Sequence, residues 1–282
     1  MKLFSVPPFP FWPQNQPPRQ YSTSRLVQEV GQSACARLGL FFICHPTRER
    51  LCVQGMAKLL PWDLSDLDDD STPPELILVR LQVGLAFFHC AKYIRTRVAG
   101  LTSPFAPSSE QIWHPERLLN CHRSKLSETV CAFISQQALC FLCTVDREGQ
   151  CAVNHRGGAP GFLVPLPPDK SSPGGIVLLP DYAGNGAFEA IGNILETGRA
   201  TLVIPNYAAQ LAVCVAGPAY ILELENLAPD LARKCVGAER VVAVSVQRIE
   251  TQYGDWSVAL AYERARAESF AVTEDTAPAC SI

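Results

Sequence analysis

The sequence predicts a β-rich α+β fold, and three observations support it. From residue 118 onward, apolar residues fall in short runs separated by tight turns, the spacing of strands rather than helices. Only two segments of this region have apolar positions at helical spacing. A similar series of apolar runs also occurs earlier in the chain. Short strands with one or two helices favour a small barrel.

Two helices are predicted in the later half of the chain. Residues 124–137 carry apolar side chains at helical spacing, and Ser127 is a suitable N-cap for this segment. The second helix is predicted from Phe188 to Leu195, and Gly198 is placed to end it. Both segments are short, so the helices are expected to cover the sheet rather than form the core themselves.

The strands are predicted from apolar runs and turn residues. ALCFLCTVD (138–146) and CAVNH (151–155) flank a turn at Gly149 and predict a hairpin. GIVLLP (175–180) predicts a third strand that ends at a polar turn. Further strands are predicted at 200–205, 210–222 and 240–250.

Composition restricts the classes of protein and partner. The chain has 282 residues, 48% of them hydrophobic, and a formal charge of −3. This charge provides no basic field for nucleic acid or an anionic membrane. No apolar run reaches the roughly 18 residues that a membrane span requires. We therefore expect a soluble protein.

The twelve cysteines do not resemble a disulfide framework. Most lie inside apolar stretches, where a free thiol packs as a small hydrophobic group. Cys140 and Cys143 form a CxxC motif within a predicted strand, so their side chains should point to opposite faces. We expect structural thiols in a reducing compartment and no metal site.

Loop segments suggest the domain boundaries. We expect a flexible proline-rich arm at 1–24, a partial domain at 25–98, a linker at 99–117, the main domain at 118–250, and a C-terminal helix and tail at 251–282. The arm contains Lys2 and Arg19 but no acidic residue, which leaves organellar targeting as an alternative to a cytoplasmic location.

An internal repeat is the reason for treating residues 25–98 as a partial domain. Residues 31–43 align with 192–204, and the segment CVQGMA (52–57) matches CVAGPA (214–219). A β-rich run follows each copy, which predicts that half of a barrel occurs twice. The first copy lacks the strands and glycine-rich corner that precede the second, so it is predicted to be truncated.

A candidate phosphate site lies within residues 151–193. It combines a strand, a glycine-rich corner containing Arg156, another strand, and a polar turn, PDYAGNG (180–186), that opens a helix. Backbone N–H groups at a helix start favour a phosphate, and a guanidinium adds forked donors and positive charge. The structural alternatives are that Arg156 pairs with a surface acid, that Asp181 forms the turn, and that Asn185 caps the helix.

At these residues the chain resembles the pyridoxamine 5′-phosphate oxidase-like family of FMN-binding split barrels. The resemblance rests on four ordered motifs: HRGGAPGF (155–162), PDYAGN (180–185), GNI (192–194) and GPA (217–219). It covers about residues 118–250. It implies an FMN-binding split β-barrel, preceded in this chain by the partial repeat.

The resemblance also implies a function and a set of cofactor-binding residues. It implies an FMN-dependent oxidoreductase that takes hydride from a small organic substrate, as a homodimer or an intrachain pseudo-dimer. The implied cofactor-binding residues are Asn154, His155, Arg156, Gly157, Gly158, Asp181, Tyr182, Gly184, Asn185 and Gly186. No side chain is identified as catalytic. The alternatives are a non-catalytic flavin- or haem-binding module and a degenerate scaffold subunit.

Overall fold

The computed structural model describes residues 4–5, 36–44, 49–60, 78–89, 118, 124–183, 188–206, 209 and 211–253. These residues form a β-rich structure with two sheets and few helices, as the sequence predicts. Most of the predicted arm, linker and tail lies outside the described residues, so the domain boundaries remain predictions. Within the described residues, no helix is long and apolar enough to cross a membrane.

The first sheet, called here the N-terminal sheet, has four antiparallel strands in the order β1-β2-β3-β4. They are β1 (Phe4–Ser5), β2 (Ala36–Cys44), β3 (Glu49–Leu60) and β4 (Leu78–Phe88). The short strand β1 lies within the predicted arm and pairs with β2.

The second sheet, called the barrel sheet, has eight strands. They are β5 (Leu139–Val145), β6 (Cys151–Gly157), β7 (Val164–Leu166), β8 (Ile176–Tyr182), β9 (Arg199–Asn206), β10 (Leu211–Leu222), β11 (Ala238–Ser245) and β12 (Arg248–Tyr253). The strand order is β6-β5-β9-β10-β11-β8-β7, and β12 also pairs with β10. Strands β5 and β6 form the predicted hairpin.

The single strand predicted at 240–250 is wrong, because the structure divides this segment into β11 and β12. Strand β11 pairs with one end of β10, and β12 pairs with the other end. Between them, the Val246 N–H donates to the Gly175 carbonyl and the Gln247 N–H to the Ala216 carbonyl. These two hydrogen bonds mark the break between β11 and β12. Strand β12 then continues to Tyr253, where the tail was expected.

Among the described residues, three α-helices accompany the barrel sheet: α1 (Glu128–Ser135), α2 (Phe188–Thr197) and α3 (Pro229–Lys234). The first two confirm the predicted helices. The Ser127 hydroxyl accepts from the Val130 N–H at 3.3 Å, so Ser127 is the N-cap of α1. Helix α2 ends before Gly198, whose positive φ of 66° suits glycine.

The two faces of β5 belong to different apolar clusters. Cys140 and Leu142 pack in the core of the barrel with side chains of α1 and α2. Phe141 and Cys143 point the other way, into a cluster shared with the N-terminal sheet. The two cysteines of the CxxC motif therefore lie on opposite faces of the strand, as predicted.

The N-terminal sheet packs against this outer face of the barrel sheet. Phe41 and Cys52 lie in one buried cluster with Phe141 and Val153, and we call this contact the seam. Strands β2 and β3 both contact β6 across it. At Gly39 the approach is so close that a Cβ atom would lie 2.8 Å from the Cys151 carbonyl oxygen. The seam is therefore tightly packed.

A polar contact also joins the N-terminal sheet to helix α2. The Gln54 amide donates to the Glu189 carboxylate at 2.6 Å, and Gln54 is buried. Burial raises the pKa of Glu189, while the hydrogen bond from Gln54 acts in the opposite direction. This contact fixes the first turn of α2 relative to the N-terminal sheet.

The proposed internal repeat agrees with two features of the fold. Strands β2, β3 and β4 form an antiparallel meander, and so do β9, β10 and β11. Gly55 and Gly217 are the equivalent glycines of the two copies, and a Cβ at either would clash with a backbone carbonyl of Gln82 or Ser245. These features support the repeat, which remains a proposal.

Candidate functional site

Strand β6 places its predicted site residues on two different faces. In the register of β5 with β6, Asn154 is opposite Leu142, and Arg156 is opposite Cys140. Both partners belong to the barrel core, so Asn154 and Arg156 point into the barrel. His155 is opposite Phe141 and points into the seam. The adjacent residues His155 and Arg156 therefore face different regions of the structure, the seam and the barrel interior.

The most definite feature of the candidate site is an ion pair inside the barrel. The Arg156 Nη1 atom donates to the Asp181 Oδ1 atom at 2.6 Å. The two side chains are 2% and 7% exposed, so water screens the pair very little. Burial lowers the pKa of Arg156, and the charge of Asp181 opposes that shift. The structure thus brings together two residues predicted from separate motifs.

A third residue, Arg240, completes this group. Its Nε atom lies 3.5 Å from the Asp181 Oδ2 atom, so both carboxylate oxygens face a guanidinium. Arg240 stands opposite Asp181 in the β11–β8 register, and its side chain is 26% exposed. It also contacts the exposed Glu239 carboxylate at 3.0 Å. We call Arg156, Asp181 and Arg240 the arginine corner.

Sequence reasoning missed Arg240. It was assigned to a strand without a role, because the pairing of β11 with β8 depends on a long-range connection. The sequence signal that could have identified Arg240 is its position at the start of an apolar run. A basic residue there faces the polar end of the neighbouring strand. The guanidinium carbon of Arg240 also lies 5.9 Å from the centre of the Phe188 ring, at the first residue of α2.

The other predicted residues of the turn are only partly described. Tyr182 ends β8 and is partly buried against the barrel core. Gly184, Asn185 and Gly186 lie outside the described residues, so their proposed role in binding phosphate stays a prediction. The described chain resumes at Phe188, where α2 begins beside Arg240. The helix start and the arginine corner are therefore neighbours.

The glycine corner has a packing explanation. Gly157 ends strand β6 and is buried. At Gly158, a Cβ atom would lie 2.6 Å from the Phe162 Cβ atom, and the Gly158 N–H donates to the Ala138 carbonyl at 3.0 Å. A larger residue at Gly158 would displace Phe162, which packs in the barrel core. Thus the motif positions Arg156 by allowing a tight bend after β6.

His155 contacts a second buried arginine that sequence reasoning also missed. The Arg50 Nη1 atom lies 3.3 Å from the His155 Nδ1 atom, across the seam, and Arg50 is 5% exposed. A guanidinium can only donate, so the His155 Nδ1 atom is the acceptor in this contact. No local sequence signal could pair residues that are 105 positions apart.

His89 adds another imidazole to the seam. Its ring packs against Phe41 and Phe87, with ring centres 5.5 and 5.0 Å away. Burial, together with the charges of Arg50 and Arg156, lowers the pKa of His89 to about 4. The imidazole is therefore neutral at physiological pH. Within the described residues, its buried Nε2 atom has no hydrogen-bond partner.

Asn154 is the least satisfied polar residue of the site. It is 0% exposed, and neither its Oδ1 nor its Nδ2 atom has a hydrogen-bond partner among the residues that the structure describes. An unsatisfied buried amide costs on the order of 1–3 kcal/mol. Asn154 therefore offers a donor and an acceptor, on the same face of β6 as Arg156, to a bound molecule.

The arrangement suits binding better than nucleophilic chemistry. Burial raises the pKa of Cys140 to about 12 and of Cys52 and Cys151 to about 11, so these thiols are poor nucleophiles. Among the described residues, no cluster of three or more His, Cys, Asp or Glu side chains could hold a metal ion. The polar groups present instead offer positive charge and hydrogen bonds.

Comparisons with known proteins give similarities of low degree. No protein-family model and no curated protein matches the chain. Among solved structures, HupZ from Group A Streptococcus is 20% identical over 44% of this chain and 91% of its own length, with a TM-score of 0.33. A protein from Lactobacillus delbrueckii, provisionally named pyridoxamine 5′-phosphate oxidase, is 21% identical over 45% and 94%, with a TM-score of 0.35.

The haem storage protein HutZ from Vibrio cholerae is another similar structure. It is 12% identical over 46% of this chain and 97% of its own length, with a TM-score of 0.28. Similarities at these scores carry no argument about function.

Proposed function

We propose that this chain is a flavoprotein of the pyridoxamine 5′-phosphate oxidase-like type, a split barrel that binds FMN and oxidises a small organic substrate. The observation that carries the proposal is the arginine corner. Arg156 and Asp181 belong to two separate motifs of the family resemblance, and their side chains meet at 2.6 Å inside the barrel. Arg240 adds a partly exposed cation beside the start of α2.

The described residues fit an anionic group. The arginine corner contains two guanidinium groups and one buried carboxylate, that of Asp181. The Glu239 carboxylate also contacts Arg240, but it is exposed, so solvent screens its charge. A phosphate approaching Arg240 would also meet the positive end of the α2 dipole. Asn154 supplies unsatisfied amide atoms on the same face of β6 as Arg156. Positive charge, a helix start and unsatisfied polar atoms thus occur together.

The proposed roles follow from exposure. Arg240 is the partly exposed cation and would contact the phosphate directly, with Gly184, Asn185 and Gly186 supplying the turn. Arg156 is buried behind Asp181 and would hold that carboxylate, and so Arg240, in position. Tyr182 and Asn154 would border the remainder of the cofactor. Gly157 and Gly158 would keep the bend that carries Arg156.

When bound, FMN supplies the redox chemistry, since it accepts hydride from the substrate and passes electrons to oxygen or another acceptor. The protein would bind and orient the cofactor and exclude water. None of the described side chains is assigned as a catalytic acid or base. The proposed activity therefore depends on binding and electrostatics.

The N-terminal sheet would take the place of a second subunit, making the chain an intrachain pseudo-dimer. Its support is the seam, in which Phe41 and Cys52 cover Phe141 and Val153 on the outer face of the barrel sheet. A homodimer that used this same face would have to displace the N-terminal sheet. The pseudo-dimer is therefore the arrangement we propose.

A second candidate function is a haem-binding module without turnover. It is favoured by His89, whose neutral imidazole has a buried Nε2 atom without a partner among the described residues. A neutral imidazole is a common axial ligand of haem iron. This candidate would use the seam rather than the arginine corner.

The experiment is to titrate the purified protein separately with FMN and with haemin while recording absorption spectra. The flavin proposal predicts a structured flavin band on binding FMN and release of FMN on denaturation. A Soret shift with haemin and no response to FMN would favour the haem module. Lack of response to either molecule would contradict both and indicate a scaffold.

A further inference from the structure

We propose that Gln54 is a positioning residue for the cofactor phosphate, by which the N-terminal sheet holds the start of α2 open to that phosphate beside the arginine corner. This inference rests on the proposed flavin function and extends it to a residue outside the family-like half of the chain. Gln54 would act through the Glu189 carboxylate and would not touch the cofactor itself. The truncated first copy thereby gains a role in the site on the barrel.

The contact between Gln54 and Glu189 joins the two halves of the chain. The Gln54 Nε2 atom donates to the Glu189 Oε1 atom at 2.6 Å, and the two residues are 135 positions apart in the sequence. Gln54 lies on β3 and is 5% exposed, so water has little access to its amide. A hydrogen bond to a carboxylate is stronger than one between neutral groups. The contact is therefore suited to holding a helix end in place.

Cys52 shows that this contact belongs to the seam. Cys52 precedes Gln54 by two residues on β3, so both side chains leave the same face of the strand, and Cys52 packs in the seam. Burial raises the pKa of Cys52 to about 11, the charge of Glu189 acts in the same direction, and a hydrogen bond with Gln54 opposes the rise. The three side chains therefore meet on one face of the N-terminal sheet.

The first turn of α2 has few other anchors in the described part of the chain. The contacts of this helix with the barrel core begin at Ala190. Phe188, the first residue of the helix, is 64% exposed, and its ring centre lies 5.9 Å from the guanidinium carbon of Arg240. Glu189 lies between these two residues and is held by Gln54. The Gln54 contact therefore restrains the part of α2 that borders the arginine corner.

Glu189 also carries a charge of the wrong sign for a phosphate site. It is the acidic residue in the first turn of α2. The backbone N–H groups at a helix start attract a carboxylate as well as a phosphate, so the two anions compete for them. Because Gln54 donates to the Glu189 carboxylate, it keeps that carboxylate engaged in the seam. The helix start and Arg240 are then left to the phosphate.

The position of the Glu189 carboxylate depends on Gln54. Its second oxygen, Oε2, is buried and has no hydrogen-bond partner among the described residues. Loss of the Gln54 amide would leave both carboxylate oxygens without a donor, which is costly at a site shielded from water. The side chain would then turn towards other donors, and the start of its own helix provides unpaired N–H groups.

The test replaces Gln54 by methionine, which is unbranched and of similar length but cannot donate a hydrogen bond. Gln82→Met is the matched control, because Gln82 is exposed on the neighbouring strand β4. Dissociation constants for FMN and riboflavin are measured by flavin fluorescence, and thermal melting of the ligand-free proteins checks folding. We expect Gln54→Met to weaken FMN binding by about fivefold or more and riboflavin binding by less than about twofold, and Gln82→Met to change neither.

A swapped pair tests the mechanism. Gln54→Glu together with Glu189→Gln keeps a hydrogen bond between an amide and a carboxylate at these positions, and it moves the charge from α2 to the N-terminal sheet. We expect this double variant to bind FMN at least as tightly as wild type, within about twofold. Gln54→Glu alone places two carboxylates side by side and should weaken FMN binding as Gln54→Met does.

Gln54→Asn replaces Gln54→Met if the methionine variant does not fold, because the shorter amide does not reach Glu189 at the same distance. Folded Gln54 variants that bind both ligands as wild type does, or that lose affinity for both by the same factor, would overturn the role of Gln54 and leave the flavin function standing. A swapped pair that binds FMN as weakly as Gln54→Met would do the same.

The wild-type protein tests the premise separately. Equal affinity of wild type for FMN and riboflavin would overturn the phosphate site and this inference with it. A wild-type protein that binds neither ligand would overturn the flavin function itself.

Discussion

The Arg156 Nη1 atom lies 2.6 Å from the Asp181 Oδ1 atom and links two strands that are distant in the barrel sheet. Arg156 is on β6, at one end of the strand order, and Asp181 is on β8, next to the other end. No backbone ladder joins β6 to β8 in the described residues. The ion pair therefore joins the two sides of the barrel where its hydrogen bonding is interrupted.

Breaking this pair should destabilise the fold strongly. Arg156→Met takes away the guanidinium that lies 2.6 Å from the buried Asp181 carboxylate, and we expect a loss of about 3 kcal/mol in the free energy of unfolding. The double variant Arg156→Met with Asp181→Leu removes both charges and should recover most of that loss. Urea unfolding measures the free energy of unfolding of the single and the double variant.

The surface pair Arg147–Glu196 is the control for this prediction, since Arg147 is 74% exposed. Arg147→Met should change the free energy of unfolding by no more than about 1 kcal/mol. Equal effects of Arg147→Met and Arg156→Met would show that the buried pair does not join the two sides of the barrel as described.

The seam should be sensitive to one added methyl group. In Gly39→Ala, the new Cβ atom would lie 2.8 Å from the Cys151 carbonyl oxygen, so β2 and β6 would have to separate. We expect a loss of about 1–3 kcal/mol in urea unfolding. Gly192→Ala, on α2 with nothing within 4 Å of the added atom, should instead stabilise by about 0.5–1 kcal/mol. A tolerated Gly39→Ala would contradict the close packing of the two sheets.

The buried cysteines should be unreactive in the native protein. Burial raises the pKa of Cys140 to about 12 and that of Cys143 well above its usual value. Brief alkylation at about pH 8, followed by peptide mass spectrometry, should leave both unlabelled until urea is added. Rapid labelling of either in the native protein would mean that the thiol is accessible and ionised, contrary to its packing.

Protonation of His89 should couple stability to pH. Its pKa is about 4 in the folded protein, against about 6.5 when unfolded, so the unfolded state binds more protons between these values. Stability is therefore expected to fall as pH decreases from about 6.5 towards 4. The His89→Gln variant should lack this pH-dependent loss of stability, which is measured as the urea midpoint at several values between about pH 7 and pH 5.

Glu189 should make the stability of the fold depend on pH in the opposite direction. Its pKa is raised in the folded protein, so it favours the folded state at lower pH, and Glu189→Gln should steepen the loss of stability on acidification. If His89→Gln and wild type had parallel pH profiles, the protonation of His89 would not be coupled to folding.

Local patterns predicted much of the fold and part of the site. The cap at Ser127, the β5–β6 hairpin and the end of α2 at Gly198 depend on neighbouring residues, which a sequence displays directly. The β11–β12 break was missed because it depends on contacts with Gly175 and Ala216, which are remote in sequence.

The roles of the charged residues were harder to predict. Arg156 was expected to face a phosphate, with pairing to a surface acid as the alternative, whereas the structure pairs it with Asp181, an acid buried inside the barrel. Arg240 and Arg50 were missed because their partners lie on strands that only tertiary pairing brings close. Residue types indicated which groups carry charge, while long-range topology decided which of these groups meet.

The central claim, that the arginine corner binds the phosphate of FMN, is tested most directly by comparing FMN with riboflavin. Isothermal titration of the wild-type protein with each ligand measures the contribution of the phosphate alone. Charge-assisted hydrogen bonds to the corner predict that FMN binds at least about tenfold more tightly, a difference of about 1.4 kcal/mol. Equal affinities for the two ligands would contradict the phosphate assignment.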